Sequence, residues 1–306
     1  MDASLRGVLP VKQPSPQPAA PGLPAPRRSE VAGLDALETP LGRGKPRWRR
    51  AWSSFWPKAL AIGIAFAAWE LVVLSGRWPT YVLPAPTDVL ARVAADVQTP
   101  ELWTAVMVTL RRAIWGFGIA IVIGVGIGVL VSRFAVMRSA VGSLIMGLQT
   151  MPSIAWFPLA VLLFKLTEEA ITFVVVLGAA PSIANGLIHG VDHIPPVLTR
   201  AGRVLGAKGI DAYRYIILPA AMPSFVAGLK QGWAFAWRSL MAGELIVIIA
   251  NKTSLGQLLS VNRELSDSQG LLAIMLVILT IGILLDSLVF GTVERRIRAK
   301  RGLLTA

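Results

Sequence analysis

Three charged residues, Lys230, Arg238 and Glu244, fall within one apolar stretch, GLKQGWAFAWRSLMAGELI at 228–246. A charge inside an apolar span is costly and marks a functional candidate by default. The guanidinium of Arg238 is a planar fork suited to oxyanions, sulfonate included. Gln231 offers an amide for hydrogen bonding, and Trp233 and Trp237 offer apolar wall. Arg238 and Glu244 are six residues apart. On one helix that separates them by about 240°, so they cannot pair within it. Two readings follow. Arg238 lines an aqueous path and attracts an anion, or it pairs with a carboxylate elsewhere, Glu70 or the Glu244 of a second copy.

Other chemistries are poorly supplied. The chain has no cysteine, which excludes disulfides, thiolate catalysis and Cys-based metal sites. His189 and His193 are spaced to share one helix face, but only Asp192 stands near them. A satisfied pair is therefore favoured over a metal site. Asp286 reads as a helix-end or loop partner rather than a proton carrier. The segment GRGKP at 42–46 lacks the first spaced glycine and the Ser/Thr of a phosphate loop, so the chain has no usual route to ATP hydrolysis. No nucleophile–base constellation stands out.

These residues sit in a chain built for a bilayer. Of 306 residues, 54% are hydrophobic and 15% charged, with mean hydropathy +0.63. Soluble domains run at about 45–50% apolar and about 25% charged. The net charge of +13 does not point to nucleic acid, because the cations cluster beside apolar segments. A spanning helix needs about 20 apolar residues. Six stretches qualify, near 57–75, 108–132, 140–164, 169–190, 222–250 and 271–291. Pro152, Pro158 and Pro181 should kink the third and fourth. Gly116, Gly124 and Gly128 give the second a small surface for close helix contact. Residues 1–50, Pro-rich and without apolar periodicity, read as a disordered cytoplasmic tail, leaving 51–300 as the membrane domain.

Orientation follows from the cations near span ends. Arg47, Arg49, Arg50, Arg133, Arg138, Arg200, Arg203, Lys208, Arg214, Arg295 and Arg296 gather on one side. This side is expected to be cytoplasmic and to hold both termini. Arg111 and Arg112 run against the rule, which places them at the outer interface or on an aqueous path.

On the cytoplasmic side lies a polar segment, RAGRVLGAKGIDAYRYIILPAAMP at 200–223. Val197, Ala201, Val204 and Leu205 share one helical face, and Arg200 and Arg203 another. Gly206 interrupts, and a second short pattern runs through Ile210, Tyr213 and Ile217. The loop of about 193–219 therefore reads as two short amphipathic helices around a glycine joint, ended by Leu218-Pro219. Small residues at 201, 202 and 206 would admit another surface. A docking element and a helix pair lying on headgroups are both compatible with this pattern.

Arg200-Ala201-Gly202, three residues, Gly206, nine residues, Ile216, one residue and Leu218-Pro219 resemble the coupling-loop motif E-A-A-x3-G-x9-I-x-L-P of type I ABC importer permeases. Arg200 stands where the motif has Glu, and Gly202 where it has its second Ala. LPAPTDVL at 83–90, TLRRAIWGF at 109–117, MPSIAWFPLA at 151–160 and AGELI at 242–246 are similar to the nitrate/sulfonate/taurine branch of that family. Where members often have an aromatic-Gly pair after span three, this chain has Phe164-Lys165, so the loop there is expected to differ.

The resemblance implies an all-α membrane protein of the cell membrane with six transmembrane helices and both termini cytoplasmic. It implies a coupling surface at Arg200, Ala201, Gly202, Arg203, Gly206, Ile216, Leu218 and Pro219. It further implies an ATP-binding cassette ATPase dimer carrying the ATP and Mg²⁺, an extracytoplasmic substrate-binding protein and a second copy of this chain. No cofactor on the chain and no nucleic acid are expected. The substrate class it suggests is a small anion, alkanesulfonate or taurine first, then nitrate, cyanate or bicarbonate. The candidate translocation path comprises Arg238, Gln231, Trp233, Trp237, Arg112 and Glu244. An ion-gradient-driven secondary transporter is the competing class; it would usually show inverted repeats or a relay of membrane carboxylates.

Overall fold

A computed structural model of the chain describes residues 47–250 and 252–300. Most of the expected Pro-rich tail lies outside the described residues. Helix α1 is Arg47–Leu74. Then follow α2 (Pro86–Asp96), α3 (Pro100–Arg133) and α4 (Ala135–Thr150). A 3₁₀ turn, Ser153–Trp156, leads into α5 (Phe157–Phe164) and then α6 (Glu168–Asp192). Next come α7 (Pro196–Val204) and α8 (Ile210–Ala212), the latter continued by a π-helical turn, Tyr213–Ile217. The long α9 (Leu218–Ile246) is followed by α10 (Leu255–Glu264) and α11 (Ser268–Leu285). A second π turn, Asp286–Phe290, runs into α12 (Gly291–Lys300). Among the described residues there is no strand. The chain divides into two units, residues 1–64 and 65–306, and the second holds every candidate site residue.

The helix starts follow from local chemistry. Pro86, Pro100 and Pro196 open α2, α3 and α7, where a missing N–H costs nothing. Ser254 and Asp267 cap α10 and α11, accepting from the N–H groups of Gln257 (3.3 Å) and Gly270 (2.9 Å).

Among the described residues four helices, not six, are long and apolar enough to span on their own: Phe55–Leu74, Pro100–Arg133, Glu168–Asp192 and Ser268–Ile297. The expected third span is not one kinked helix. Val136–Thr150 and Ser153–Phe164 meet at 102°. Pro152 cannot continue α4, and it pushes Met151 into an extended conformation (ψ 130°). Pro181, by contrast, is absorbed inside a continuous α6. The expected fifth span is one helix of 29 residues that ends at Ile246 rather than 250. Lys230, Gln231, Arg238 and Glu244 make it too polar to qualify by composition.

The core is built around α6, which packs against both α3 and α9. Of its apolar window 56% is buried, against 11% for the last span, so α6 is the enclosed helix. Glycines set the separation. A Cβ on Gly186 would come within 2.5 Å of the Gly228 Cα, and one on Gly124 within 2.8 Å of the Ala180 carbonyl. In lipid no hydrophobic force presses helices together, so this close van der Waals contact carries the packing.

The α5–α6 connection turns on Lys165. Lys165 has φ 61° and ψ −157°, a conformation that glycine accepts and lysine resists.

Candidate functional site

Glu244, near the C-terminal end of α9, is the charged side chain most fully enclosed: its side chain is 0% exposed. The carboxylate is satisfied on every side. Thr109 Oγ1 of α3 donates to it, lying 2.9 Å from Oε2 and 3.1 Å from Oε1. Gly256 N donates to Oε2 (3.1 Å), and Arg112 Nη1 donates to Oε1 (3.0 Å). Thr109 in turn accepts from Leu255 N at 3.0 Å. Arg112, only 8% exposed, grips Glu168 with its other prongs, Nε to Oε2 at 2.7 Å and Nη2 to Oε1 at 2.9 Å. Lys252 Nζ completes the set, 3.1 Å from Glu168 Oε1. Two cations and two carboxylates balance. The cluster ties α3, the start of α6, the end of α9 and the start of α10 together. A Cβ at Gly256 would collide with the Glu244 side chain, so only glycine lets the α10 backbone reach the carboxylate.

This geometry resolves the anomaly of Arg111-Arg112. Adjacent helical residues point about 100° apart. Arg112 turns inward to its two carboxylates, while Arg111 is exposed.

The remaining polar residues of α9 lie apart from this cluster. Ala227, Gln231, Ala234 and Arg238 recur at spacings of four, three and four, and all are exposed. Arg238 Nε donates to the Ala234 carbonyl (3.0 Å), and its guanidinium sits 4.8 Å from the Phe235 ring centre. No carboxylate among the described residues pairs with it, so neither Glu70 nor the Glu244 of its own chain is its partner. Trp233 faces the other way, into the core, edge-on to Phe117 at 5.2 Å. Trp237 stacks on Trp233 at 6.1 Å and is half-buried. The residues of the candidate path are thus split. Gln231 and Arg238 share an open face, while Trp233, Arg112 and Glu244 are internal. Beside the open face, a cleft of about 500 Å³ runs between α9 and the chain's C-terminal helices. The Lys230–Asp286 ion pair (3.2 Å) lines it, so Asp286 serves as a partner across helices.

The 196–219 loop is a built structure. The N–H of Ala207 reaches the Gly202 carbonyl (2.9 Å), and that of Gly206 reaches Arg203 (3.1 Å). Those two bonds form the glycine-dependent Schellman end of a helix. Gly206 adopts φ +85° with open space around its Cα, so its requirement is backbone conformation alone. Gly202 plays a different part from the one its size suggests. It is buried beneath Ile216, whose side chain occupies the place a Cβ would take. The motif's spacing between 202 and 216 is therefore an internal contact between the loop's helices. Leu218-Pro219 does not end a helix. Leu218 N bonds to the Tyr213 carbonyl, widening one turn to the π form, and α9 runs on through Pro219. Arg200, Ala201, Arg203, Gly206, Leu218 and Pro219 are exposed, and Ile216 is half-buried.

Smaller ties complete the picture. Arg138 bonds Asp192 at 2.6 Å, and the His189 and His193 rings stack at 5.3 Å. Arg92 bridges Asp96 (3.0 Å) and Asp267 (3.1 Å), fastening α2 to the turn before α11. The hydrogen bond to Asp96 raises its pKa above the ordinary arginine value, against the desolvation. Among the described residues no group of three potential metal ligands comes together.

Comparisons place this architecture. Residues 102–299 match the model of the binding-protein-dependent transport system inner membrane component family. A putative ABC transporter permease of Methanocaldococcus jannaschii is 30% identical over 227 residues, covering 73% of this chain and 84% of the relative. A putative aliphatic sulfonates transport permease of Bacillus subtilis is 25% identical, with 86% and 94% covered. A nitrate import permease of Leptolyngbya laminosa is 29% identical, with 79% and 87% covered. The inward-facing MetNI methionine ABC transporter superposes with TM-score 0.56 at 20% identity, over 65% of this chain and 99% of that one, which shows the fold. With a family match over most of its length and several apolar helices, the chain is a multi-pass membrane protein belonging to the binding-protein-dependent transport system inner membrane component family of ABC permeases.

Proposed function

We propose that this chain is the permease subunit of an ATP-driven importer for a small anion, of the alkanesulfonate, taurine or nitrate kind. The observation that carries the anion assignment is Arg238, exposed on α9 beside Gln231 and without a carboxylate partner among the described residues. A lone guanidinium within a bilayer needs water, a second protein surface or an anionic guest. The relatives named for sulfonates and for nitrate carry such guests.

In this reading the chain has six spans, counting Val136–Phe164 and α9, and both termini lie in the cytoplasm. Two copies pair so that the open faces of α9 border the path. An extracytoplasmic binding protein delivers the anion. ATP and Mg²⁺ bind a separate ATPase dimer, which pushes on residues 196–219. Because the second loop helix is continuous with α9, that push is transmitted as a tilt of α9 and of α6 packed on it.

The test is reconstitution of the chain in liposomes with its partner ATPase and binding protein. The expected result is ATP hydrolysis stimulated by one of these anions, with Arg238→Gln lowering uptake at least tenfold while the thermal midpoint holds. Uptake that persists without ATP and collapses with the proton gradient would overturn the reading in favour of secondary transport.

A further inference from the structure

The apolar residues at the tip of the 196–215 loop are uncovered. Val204, Leu205 and Ile210 are 88%, 85% and 83% exposed, gathered at the Gly206–Gly209 turn. Around them stand Arg200, Arg203, Lys208 and Arg214, all exposed, against a single carboxylate, Asp211. None of these cations has a carboxylate partner among the described residues. The loop is also held in one shape. The Schellman bonds and the Gly202–Ile216 contact fix α7 against the second helix. A rigid apolar tip rimmed by cations of one sign is complementary to a partner with an apolar pocket and an acidic rim.

Anionic headgroups would also satisfy the charges. The apolar stripe of α7, however, runs along a helix of only nine residues, shorter than the roughly 20–30 residues of many interfacial helices. In the reading proposed above the ATPase is a separate subunit, and it meets this chain on a surface outside the spans.

We propose that residues 196–215 seat in a groove of the ATPase subunit whose rim is acidic, with an Asp or Glu of that subunit facing Arg200. This rests on the coupling role proposed above and adds the chemistry of the partner surface. At position 200 the resembled motif carries Glu, so this permease and its ATPase would have exchanged the sign of one interfacial contact. Such an exchange makes the pair selective, because an ATPase with a basic residue at that point repels Arg200.

The experiment measures the affinity of the detergent-solubilised full-length permease for its partner ATPase, from about 50 mM to about 500 mM NaCl, where screening shortens from more than 10 Å to a few Å. Wild-type affinity is expected to fall at least about tenfold across that range. Arg200→Glu should weaken binding at least about tenfold at low salt without moving the thermal midpoint. One Asp→Lys or Glu→Lys change in the ATPase groove should bring the Arg200→Glu permease back to within about threefold of wild type. Undiminished binding by Arg200→Glu, or affinity indifferent to salt, overturns the acidic groove. So does a loop that Arg200→Glu releases only from phosphatidylglycerol vesicles and not from the ATPase. Undiminished binding by Val204→Asp overturns the docking role itself, which separates the failure of that reading from the failure of this one.

Discussion

Glu244 is enclosed on all sides and accepts hydrogen bonds from α3 and α10, whereas Arg200 stands in solvent with no carboxylate in reach. Both residues sit in segments bounded by apolar sequence. They differ in who satisfies them. The Glu244 cluster is closed, with each acid matched to a cation or a backbone N–H, and nothing outside the chain is needed. The 196–219 loop is closed in its backbone, through the Gly206 turn and the Gly202–Ile216 contact, and open in its side chains. The lesson is that backbone order without side-chain satisfaction points to a missing partner. A buried charge with full satisfaction points to architecture.

The comparison breaks most visibly at Glu244. Glu244→Ala leaves Arg112 with one carboxylate and strands the N–H of Gly256. Breaking a buried pair by removing one member costs about 3–5 kcal/mol. The expected outcome is a large fall in thermal midpoint and in yield of folded protein, read by fluorescence-detected gel filtration. A variant that keeps the wild-type midpoint would show that the cluster is not the tie described above.

Gly206→Val sharpens the contrast. No side chain stands near Gly206, so the cost is that of forcing valine to φ +85°, about 1–3 kcal/mol and local to the loop. The bundle should insert and melt normally while anion-stimulated ATP hydrolysis falls. A general loss of stability would place the loop in the same class as the Glu244 cluster.

Lys165 offers a change of opposite sign. Its glycine-type conformation carries strain, so Lys165→Gly should raise stability by about 1 kcal/mol, measured by thermal unfolding in detergent. A loss of stability would mean that lysine makes a contact worth more than the strain.

The smallest effect belongs to Arg138→Ala. The Arg138–Asp192 pair is short but partly exposed on both sides. Removing it should cost less than about 1 kcal/mol, and high salt should erase the difference.

Much of this was legible in the sequence, for physical reasons. Apolar length announced the helices, and Gly124 and Gly128 announced a close contact, because small side chains have one common use in a span. The spacing from Gly206 through Ile216 to Leu218-Pro219 marked the loop. Its internal logic stayed hidden, because a small residue reads equally as room for a partner or room for Ile216. The Arg112–Glu244 pair was hidden for a different reason. A charge in an apolar span advertises the need for a partner without naming it, and these two lie 132 residues apart. The clue was available in Arg111-Arg112, since two neighbours on a helix cannot both face the same way. Leu-Pro looked like a stop and proved passable: the chain widens to a π turn just before it, and Pro219 falls in the first turn of α9, where a missing N–H donor is tolerated.

The division between a closed architectural cluster and an open 196–219 loop, proposed to couple to the ATPase, is tested most directly by anion-stimulated ATP hydrolysis of the reconstituted Gly206→Val transporter, assayed beside its thermal midpoint. The account expects the midpoint to stay within a few degrees of wild type and the stimulation to be lost. Full stimulation by Gly206→Val would contradict it.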